Sequence, residues 1–222
     1  LSSETDSSTH GKGWGALHEI PDQRALTAQL TALSMRAKSP EDVPELIGQA
    51  FGVFYSQRPR PVHISIPIDV LAQPVSEDWM AMKLPGRAQA ASEDIKAAAK
   101  LLRSAKLPLL MVGGGALDAS ASVRKLVELL QAPVVCSTAG KGIVPDNHPL
   151  SLSASTVRPE VQSFISKADV ILAVGTELAE TDSFVESLDM RGDIIRIDLD
   201  PRKLNDQYPS TIGIVADANA SI

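Results

Sequence analysis

Three consecutive glycines, Gly113, Gly114 and Gly115, are the feature of the sequence that most suggests chemistry. They follow an apolar segment that is predicted to be a buried strand, and they precede a predicted helix. In such a turn the backbone can approach a phosphate closely, and N–H groups at the start of the helix would face it. The dinucleotide fingerprint is incomplete, because Asp118 stands where its third glycine belongs. The turn therefore indicates either a nucleotide site or a tight strand-to-helix connection.

Three more candidate binding residues follow later predicted strands. Lys141 lies between Gly140 and Gly142, but the spacing of a P-loop is absent, which disfavours an NTPase. Asp198 and Asp200 end another strand, and alternate residues of a strand point to the same side, so the two carboxylates could hold a ribose or a metal. The other interpretations are a solvated lysine in a glycine-rich turn and a carboxylate pair that shapes the turn.

The four histidines, His10, His18, His63 and His148, are too scattered in the sequence to predict a metal cluster. His18 is the candidate to keep, because it follows a glycine-rich segment at residues 11–15 whose flexibility suits a loop at a functional site. A plain surface loop would have the same sequence, so both interpretations stay open.

Strands and helices alternate in the second part of the chain, each connection being long enough for a crossover. This order predicts an α/β fold with a doubly wound, mostly parallel sheet. The predicted helices cover residues 93–105, 119–130 and 160–167, and the predicted strands cover residues 107–112, 133–137, 170–174, 194–198 and 211–215.

The first part of the chain predicts an incomplete α/β segment. Ser39 is predicted to cap a helix whose buried face carries apolar residues at three- and four-residue spacing, and residues 62–66 form a short strand. The sheet partners of that strand are expected outside this sequence. Residues 71–92 show no helical or strand period, so we expect one domain in residues 1–75, a linker in residues 76–92 and a second domain in residues 93–222.

Composition excludes several classes of protein. The chain has 222 residues, 44% of them hydrophobic and only 4% aromatic, which suits a parallel sheet covered by helices. A net charge of −6 disfavours nucleic acid as a partner, and the single cysteine, Cys136, excludes an internal disulfide. The apolar run at residues 107–112 is too short to span a membrane. A cytoplasmic location is expected, and the absence of an initiator Met suggests a piece of a longer chain.

Several motifs resemble one enzyme family. Residues 58–70, R-P-R-P-V-H-I-S-I-P-I-D-V, resemble the stretch that closes the pyrimidine-binding domain of the thiamine diphosphate-dependent family, which includes acetolactate synthase and the 2-oxo acid decarboxylases. Four later segments resemble the central domain of that family in the family's order. These segments are residues 107–115, 132–149, 168–175 and 197–201. The resemblance covers residues 11–222.

The resemblance implies a parent enzyme that decarboxylates or ligates a 2-oxo acid and uses thiamine diphosphate and Mg²⁺. In the family the cofactor adds to the substrate carbonyl and takes up the electrons left by CO₂. The family's activating glutamate and its G-D-G…N motif are not found in these 222 residues, so the chain alone is expected to be inactive. Family active sites form between subunits, which implies a homodimer or homotetramer.

The resemblance also implies a role for His18 and disfavours a bound flavin. His18 and Glu19 stand where acetolactate synthases have F-Q-E near the cofactor, which implies a role for His18 in proton transfer or substrate contact. Residues 150–155 and 175–182 depart from the flavin-binding segments of the family. FAD is therefore disfavoured, and a non-flavin decarboxylase acting on a longer or polar 2-oxo acid is favoured.

Two other functions remain open at this point. The chain could be a standalone module that binds FAD, NAD or ADP, with Gly113, Gly114 and Gly115 holding a diphosphate and Asp198 or Asp200 holding a ribose. The central domain could also be a spacer that holds two catalytic domains in register.

Overall fold

The computed structural model describes residues 1–75 and 78–222, and the chain divides into two compact units, Leu1–Gly86 and Arg87–Ile222. Residues 76 and 77, at the start of the expected linker, lie outside the described residues. The described residues between the two units' helices, 72–75 and 78–91, form neither helix nor strand. Within the described residues, no helix combines the length and the apolar character that crossing a membrane would require.

The first unit contains a parallel sheet of three short strands, in the order β1-β3-β2. The strands are β1 (Ser2–Glu4), β2 (Leu33–Arg36) and β3 (Val62–Pro67), and the helices are α1 (Gln23–Ala28), α2 (Asp42–Ser56) and α3 (Ile68–Leu71). The expectation that β3 has no partners in this chain is wrong, because both β1 and β2 pair with it. The two partners have only three and four residues and contain no Val, Ile or Thr, so they lack the β-branched run that identifies a strand in a sequence.

Helix α2 begins three residues later than its predicted cap. The carboxylate of Asp42, and not the hydroxyl of Ser39, satisfies the backbone there: it accepts hydrogen bonds from the N–H groups of Lys38 (2.7 Å) and Ser39 (3.2 Å). The predicted buried face is only partly correct, because Phe51 is 46% exposed and Phe54 is 40% exposed. The buried residues of α2 are Val43, Ala50 and Val53.

The second unit is a five-stranded, fully parallel sheet in the order β5-β4-β6-β7-β8. Its strands are β4 (Pro108–Val112), β5 (Val134–Cys136), β6 (Val170–Val174), β7 (Asp193–Asp198) and β8 (Ile212–Val215). Its helices are α4 (Ser92–Ser104), α5 (Ser120–Leu130), α6 (Pro159–Ile165) and α7 (Glu180–Ser183). The predicted doubly wound α/β fold is confirmed. The helix predicted from residue 119 starts instead after a 3₁₀ turn at Gly114–Ala119.

Two apolar layers cover the faces of this sheet. Alternate residues of β4 enter different layers: Leu110 packs in the layer that contains Val123 of α5, whereas Leu109 packs in the layer that contains Ile165 of α6. All five residues of β6 are buried. Central strands that are covered on both faces read as continuous apolar runs, which is why the sequence identified them.

The strand order changes direction between β4 and β6. The chain passes from β4 to β5 on one side and then returns across β4 to place β6 on the other side. The loops that follow β4 and β6 therefore lie side by side at the carboxyl edge of the sheet. This is the position at which open α/β sheets bind ligands.

Candidate functional site

The glycine turn after β4 packs directly against the loop after β6. A Cβ atom on Gly113 would lie 2.3 Å from the carbonyl oxygen of Gly175, and one on Gly115 would lie 2.9 Å from the Cα of Gly175. The N–H of Gly113 donates to the carbonyl of Val174, and the N–H of Gly115 donates to that of Gly175, both at 3.0 Å. These glycines allow one backbone to approach another, and two of their N–H groups are used in doing so.

Two further glycines take part in this close packing of loops at the carboxyl ends of β4, β5 and β6, which we call the closed edge. Gly175 has a φ of +55°, and a Cβ atom there would lie 2.6 Å from the carbonyl carbon of Gly115. Gly140 follows β5, and its Cβ atom would lie 2.5 Å from the carbonyl oxygen of Val112. The loops after β4, β5 and β6 are thus held together by backbone contacts that no larger residue would permit.

A small cleft remains beside these contacts, at the carboxyl ends of β4, β5 and β6. Its polar lining includes Ser137, Thr176 and Asp182, and the buried Cys136 also lines it. Asp182 accepts a hydrogen bond from the N–H of Thr138 at 2.9 Å, so its carboxylate joins the loop after β6 to the loop after β5. Burial raises the pKa of the Cys136 thiol, which makes it a poor nucleophile.

The other predicted binding residues occupy the same edge but are used locally. Lys141 is 58% exposed at its side chain, and its Nζ lies 3.6 Å from the carboxylate of Asp146. Asp198 ends β7 and accepts a hydrogen bond from the N–H of Asp200 at 2.9 Å. β6 lies between β7 and β4 in the sheet, so the aspartates are a strand away from the glycine turn.

Asp200 shapes the turn that follows β7. Its carboxylate caps the 3₁₀ turn Pro201–Asn205 by accepting from the N–H of Arg202, and it pairs with the Arg202 guanidinium at 2.8 Å. The hydrogen bond from the Arg202 side chain is the main reason why the pKa of Asp200 is lowered. The binding roles of Gly113, Gly114, Gly115, Lys141, Asp198 and Asp200 stay predictions.

Sequence analysis missed Arg196, which the structure buries in β7 with 1% of its surface exposed. Its Nη1 lies 2.6 Å from Asp206 and also donates to the carbonyl of Tyr208, and its Nη2 donates to the carbonyl of Thr176 at 3.3 Å. A buried charge is costly unless it is paired. A single arginine inside the apolar sequence of β7 was the signal in the sequence. It indicates a buried side chain that supports a neighbouring loop, here the loop after β6.

The first unit contains an open cleft of about 240 Å³ at the carboxyl ends of its short strands. We call it the Glu4 cleft, because the buried Glu4 at the end of β1 forms an ion pair there with the partly exposed Arg36 at the end of β2. The two contacts are 2.5 Å and 2.7 Å, and Ser65 donates to the same carboxylate at 3.0 Å. Burial acts to raise the pKa of Glu4, but the hydrogen bonds from Arg36 and Ser65 outweigh it, so the pKa is lowered and Glu4 is ionised.

His18 lines the Glu4 cleft together with His10, Asp22 and the ion pair. Its φ of +62° lies in the left-handed region that non-glycine residues rarely adopt. Such outliers cluster at sites where the surrounding structure enforces them. The structure thus brings His18 to a polar cleft, in the first unit, whereas the other predicted site residues lie in the second unit. Glu4 and Arg36 carried no motif by which the sequence could have found them.

The described residues do not fit a Mg²⁺ site. Within residues 1–75 and 78–222, no three His, Cys, Asp or Glu side chains are grouped so that they could hold a metal ion. The sequence motif that holds Mg²⁺ in the resembling family is not found here either.

The second unit belongs by its fold to the doubly wound α/β class, with its loops gathered at the carboxyl edge. Comparison with known families then identifies it more closely: the model of the thiamine pyrophosphate enzyme central domain matches residues 95–222. The chain belongs to the thiamine pyrophosphate enzyme family, as its motifs predicted. The alternative of a standalone nucleotide-binding module is not favoured.

Individual relatives agree with this assignment. The chain is 50% identical to "Probable 2-ketoarginine decarboxylase AruI" of Pseudomonas aeruginosa, over all of this chain and 40% of that protein. It is 30% identical to the acetolactate synthase of Mycobacterium bovis, over 90% of this chain and 34% of that protein. A solved structure from Mycobacterium smegmatis, assigned by its description to the thiamin diphosphate-dependent enzymes, matches 90% of this chain and 40% of its own with a TM-score of 0.76 and 25% identity.

Proposed function

We propose that the protein containing these residues is a thiamine diphosphate-dependent decarboxylase of a 2-oxo acid with a cationic side chain, of the 2-ketoarginine type. The observation that carries this proposal is the 50% identity, along the whole of this chain, to a protein named as a 2-ketoarginine decarboxylase, against 30% to a named acetolactate synthase. The departures from the flavin-binding segments support the same choice and disfavour FAD.

The charge of the Glu4 cleft is consistent with such a substrate. Two carboxylates, Glu4 and Asp22, and one guanidinium, Arg36, line it, so the cleft is acidic on balance. Asp22 accepts a hydrogen bond from the N–H of Ala25, which is the main cause of its lowered pKa and keeps it ionised. A guanidinium group binds best where fixed carboxylates meet it. In this proposal His18 contacts the substrate or transfers a proton at the rim of the cleft.

We assign the two units to the domains that the resemblance implies. Residues 1–75 would end the pyrimidine-binding domain, residues 76–92 would link the domains, and residues 93–222 would form the central domain. The closed glycine edge supports a scaffolding role for the central unit over a nucleotide site. Mg²⁺ and thiamine diphosphate would be held by residues outside this sequence.

The assembly and the location of the protein belong to the same proposal. We expect a homodimer or homotetramer in the cytoplasm, with a small 2-oxo acid as its ligand and neither nucleic acid nor a membrane as a partner. Light scattering on the purified full-length protein measures the assembly, and a monomer would contradict it.

The proposed activity is tested with the full-length protein, thiamine diphosphate and Mg²⁺. Release of CO₂ from 2-ketoarginine should depend on added thiamine diphosphate and should exceed release from pyruvate. Omitting the cofactor is the matched control. Preferential formation of acetolactate from pyruvate would contradict the proposal.

A further inference from the structure

The carboxylate of Glu19 forms the centre of the loop that carries His18. Its Oε1 accepts from the N–H of Gly13 at 2.8 Å, and its Oε2 accepts from the N–H groups of Gly15 at 2.7 Å and Ala16 at 3.0 Å. The N–H of Glu19 itself donates to the carbonyl of Ala16 at 2.9 Å. Glu19 thus bonds back to Gly13, Gly15 and Ala16 through its carboxylate and its own N–H.

The glycines explain how three N–H groups can converge on one carboxylate. Gly11, Gly13 and Gly15 all have positive φ, at +71°, +63° and +75°. Backbone that alternates in this way turns successive N–H groups toward a common concavity that favours an anion. Desolvation acts to raise the pKa of Glu19, but the backbone donors outweigh it and the pKa is lowered. The anion in this concavity is supplied by the chain itself.

The position of His18 depends on the contacts of Glu19, because His18 immediately precedes Glu19 in the closed loop. It is flanked by Leu17 and by Glu19, whose side chain and N–H are both bonded back to the loop. The left-handed backbone of His18 has no intrinsic preference in its favour, so the neighbouring contacts must maintain it. With the loop closed, the His18 side chain lines the Glu4 cleft.

We propose that Glu19 is a positioning residue. Its carboxylate accepts hydrogen bonds from the backbone N–H groups of Gly13, Gly15 and Ala16, closes the loop of residues 13–19, and thereby holds the His18 imidazole at the rim of the Glu4 cleft. The inference rests on the proposed function only for the claim that His18 meets substrate. Glu19 itself contacts neither substrate nor cofactor in this account.

The loop contacts are tested by amide hydrogen exchange on the full-length protein. Glu19→Ala should accelerate exchange of the N–H groups of residues 13–16 by about tenfold or more, because their acceptor is lost. Glu19→Gln keeps one carbonyl oxygen and should give partial protection. Glu41→Ala removes an exposed carboxylate that makes no capping hydrogen bond to α2 and should leave the loop unchanged. Wild-type exchange in Glu19→Ala would overturn the proposal.

The effect on His18 has a readout that needs no activity. Carbethoxylation of His18, measured by mass spectrometry against His148 as an internal reference, should change about twofold or more in rate in Glu19→Ala, since the exposure of the ring depends on the backbone that carries it. An unchanged ratio would overturn the positioning role. This readout remains decisive even if the full-length protein proves to have no decarboxylase activity.

A double-mutant cycle separates positioning from a general structural defect. If Glu19 acts through His18, the kcat of His18→Ala/Glu19→Ala should equal that of His18→Ala alone, because the second change removes nothing further. Glu19→Gln should recover part of the loss seen in Glu19→Ala. Losses that multiply in the double variant would overturn the proposal. A failure of 2-ketoarginine turnover in the wild-type protein would instead count against the proposed function.

Discussion

The two units use glycine for opposite purposes at the carboxyl ends of their strands. In the second unit, Gly113, Gly115 and Gly175 let the loops after β4 and β6 press their backbones together. In the first unit, a Cβ atom on Gly13 or Gly15 would have nothing within 4 Å of it, and these glycines serve to turn N–H groups toward Glu19. A glycine cluster after a strand therefore does not by itself identify a phosphate site. What decides is whether its N–H groups already have partners.

The closed edge predicts the largest effect. Gly113→Ala should destabilise the chain by about 3 kcal/mol or more, because its Cβ would meet the carbonyl oxygen of Gly175 in a place that cannot yield without moving β6. Urea unfolding followed by circular dichroism measures this. Gly86→Ala, where nothing lies within 4 Å, is the control and should behave like wild type. Equal stability of the two variants would show that the edge is open.

Removing Arg196, which supports the loop after β6, should lower the free energy of unfolding somewhat less. Arg196→Met leaves Asp206 without its buried partner and releases the carbonyl of Thr176, so we expect a loss of about 3 kcal/mol at most. Arg191→Met breaks an exposed pair with Asp189 and should cost below about 1 kcal/mol in the same unfolding experiment. A loss no larger than that of Arg191→Met would mean that Arg196 does not support the loop.

The ion pair of the Glu4 cleft predicts a dependence of stability on acid pH. Because the folded pKa of Glu4 lies below its ordinary value of 4.5, the unfolded state binds the proton first as the pH falls. Its contribution to stability is complete above that ordinary value and is lost as the pH drops through the lowered folded value. Glu4→Gln should flatten the stability profile below about pH 4.5. An unchanged acid slope, measured by urea unfolding at stepped pH, would contradict the ion pair.

The smallest effect is expected for Lys141. Its pair with Asp146 is exposed and long at 3.6 Å, so Lys141→Ala should change stability by about 0.5 kcal/mol or less. ADP or FAD should not raise the thermal midpoint of wild type or variant, because the glycine turn is closed. A saturable rise of the thermal midpoint with ADP or FAD in the wild type, absent in Lys141→Ala, would instead support a nucleotide site at this edge.

The sequence predicted the second unit well and the first unit poorly, and the reason is physical. Strands β4 and β6 are covered on both faces, so burial imposed continuous apolar runs with turn residues at their ends. Strands β1 and β2 are short edge strands whose polar side chains bond within the unit. The hydroxyls of Ser2 and Ser34 contact His63, and Glu4 pairs with Arg36. Their pairing with β3 depends on contacts that no periodic pattern records.

The residues of the candidate site were predictable only where a local sequence pattern marks them. The glycine-rich loop singled out His18, but the Glu4–Arg36 pair joins residues that are far apart in sequence and share no motif. The glycine turn after β4 was located correctly. That the N–H groups of Gly113 and Gly115 bond to β6 and to the loop after it was not predictable, because this depends on the strand order and on Gly175.

The most direct test of the contrast between the units is one kinetic comparison in the full-length protein. The kcat/KM for 2-ketoarginine should fall about tenfold or more in His18→Ala, at the rim of the Glu4 cleft, and should stay within about twofold of wild type in Lys141→Ala, at the closed edge. A loss confined to Lys141→Ala, with His18→Ala unaffected, would contradict the account.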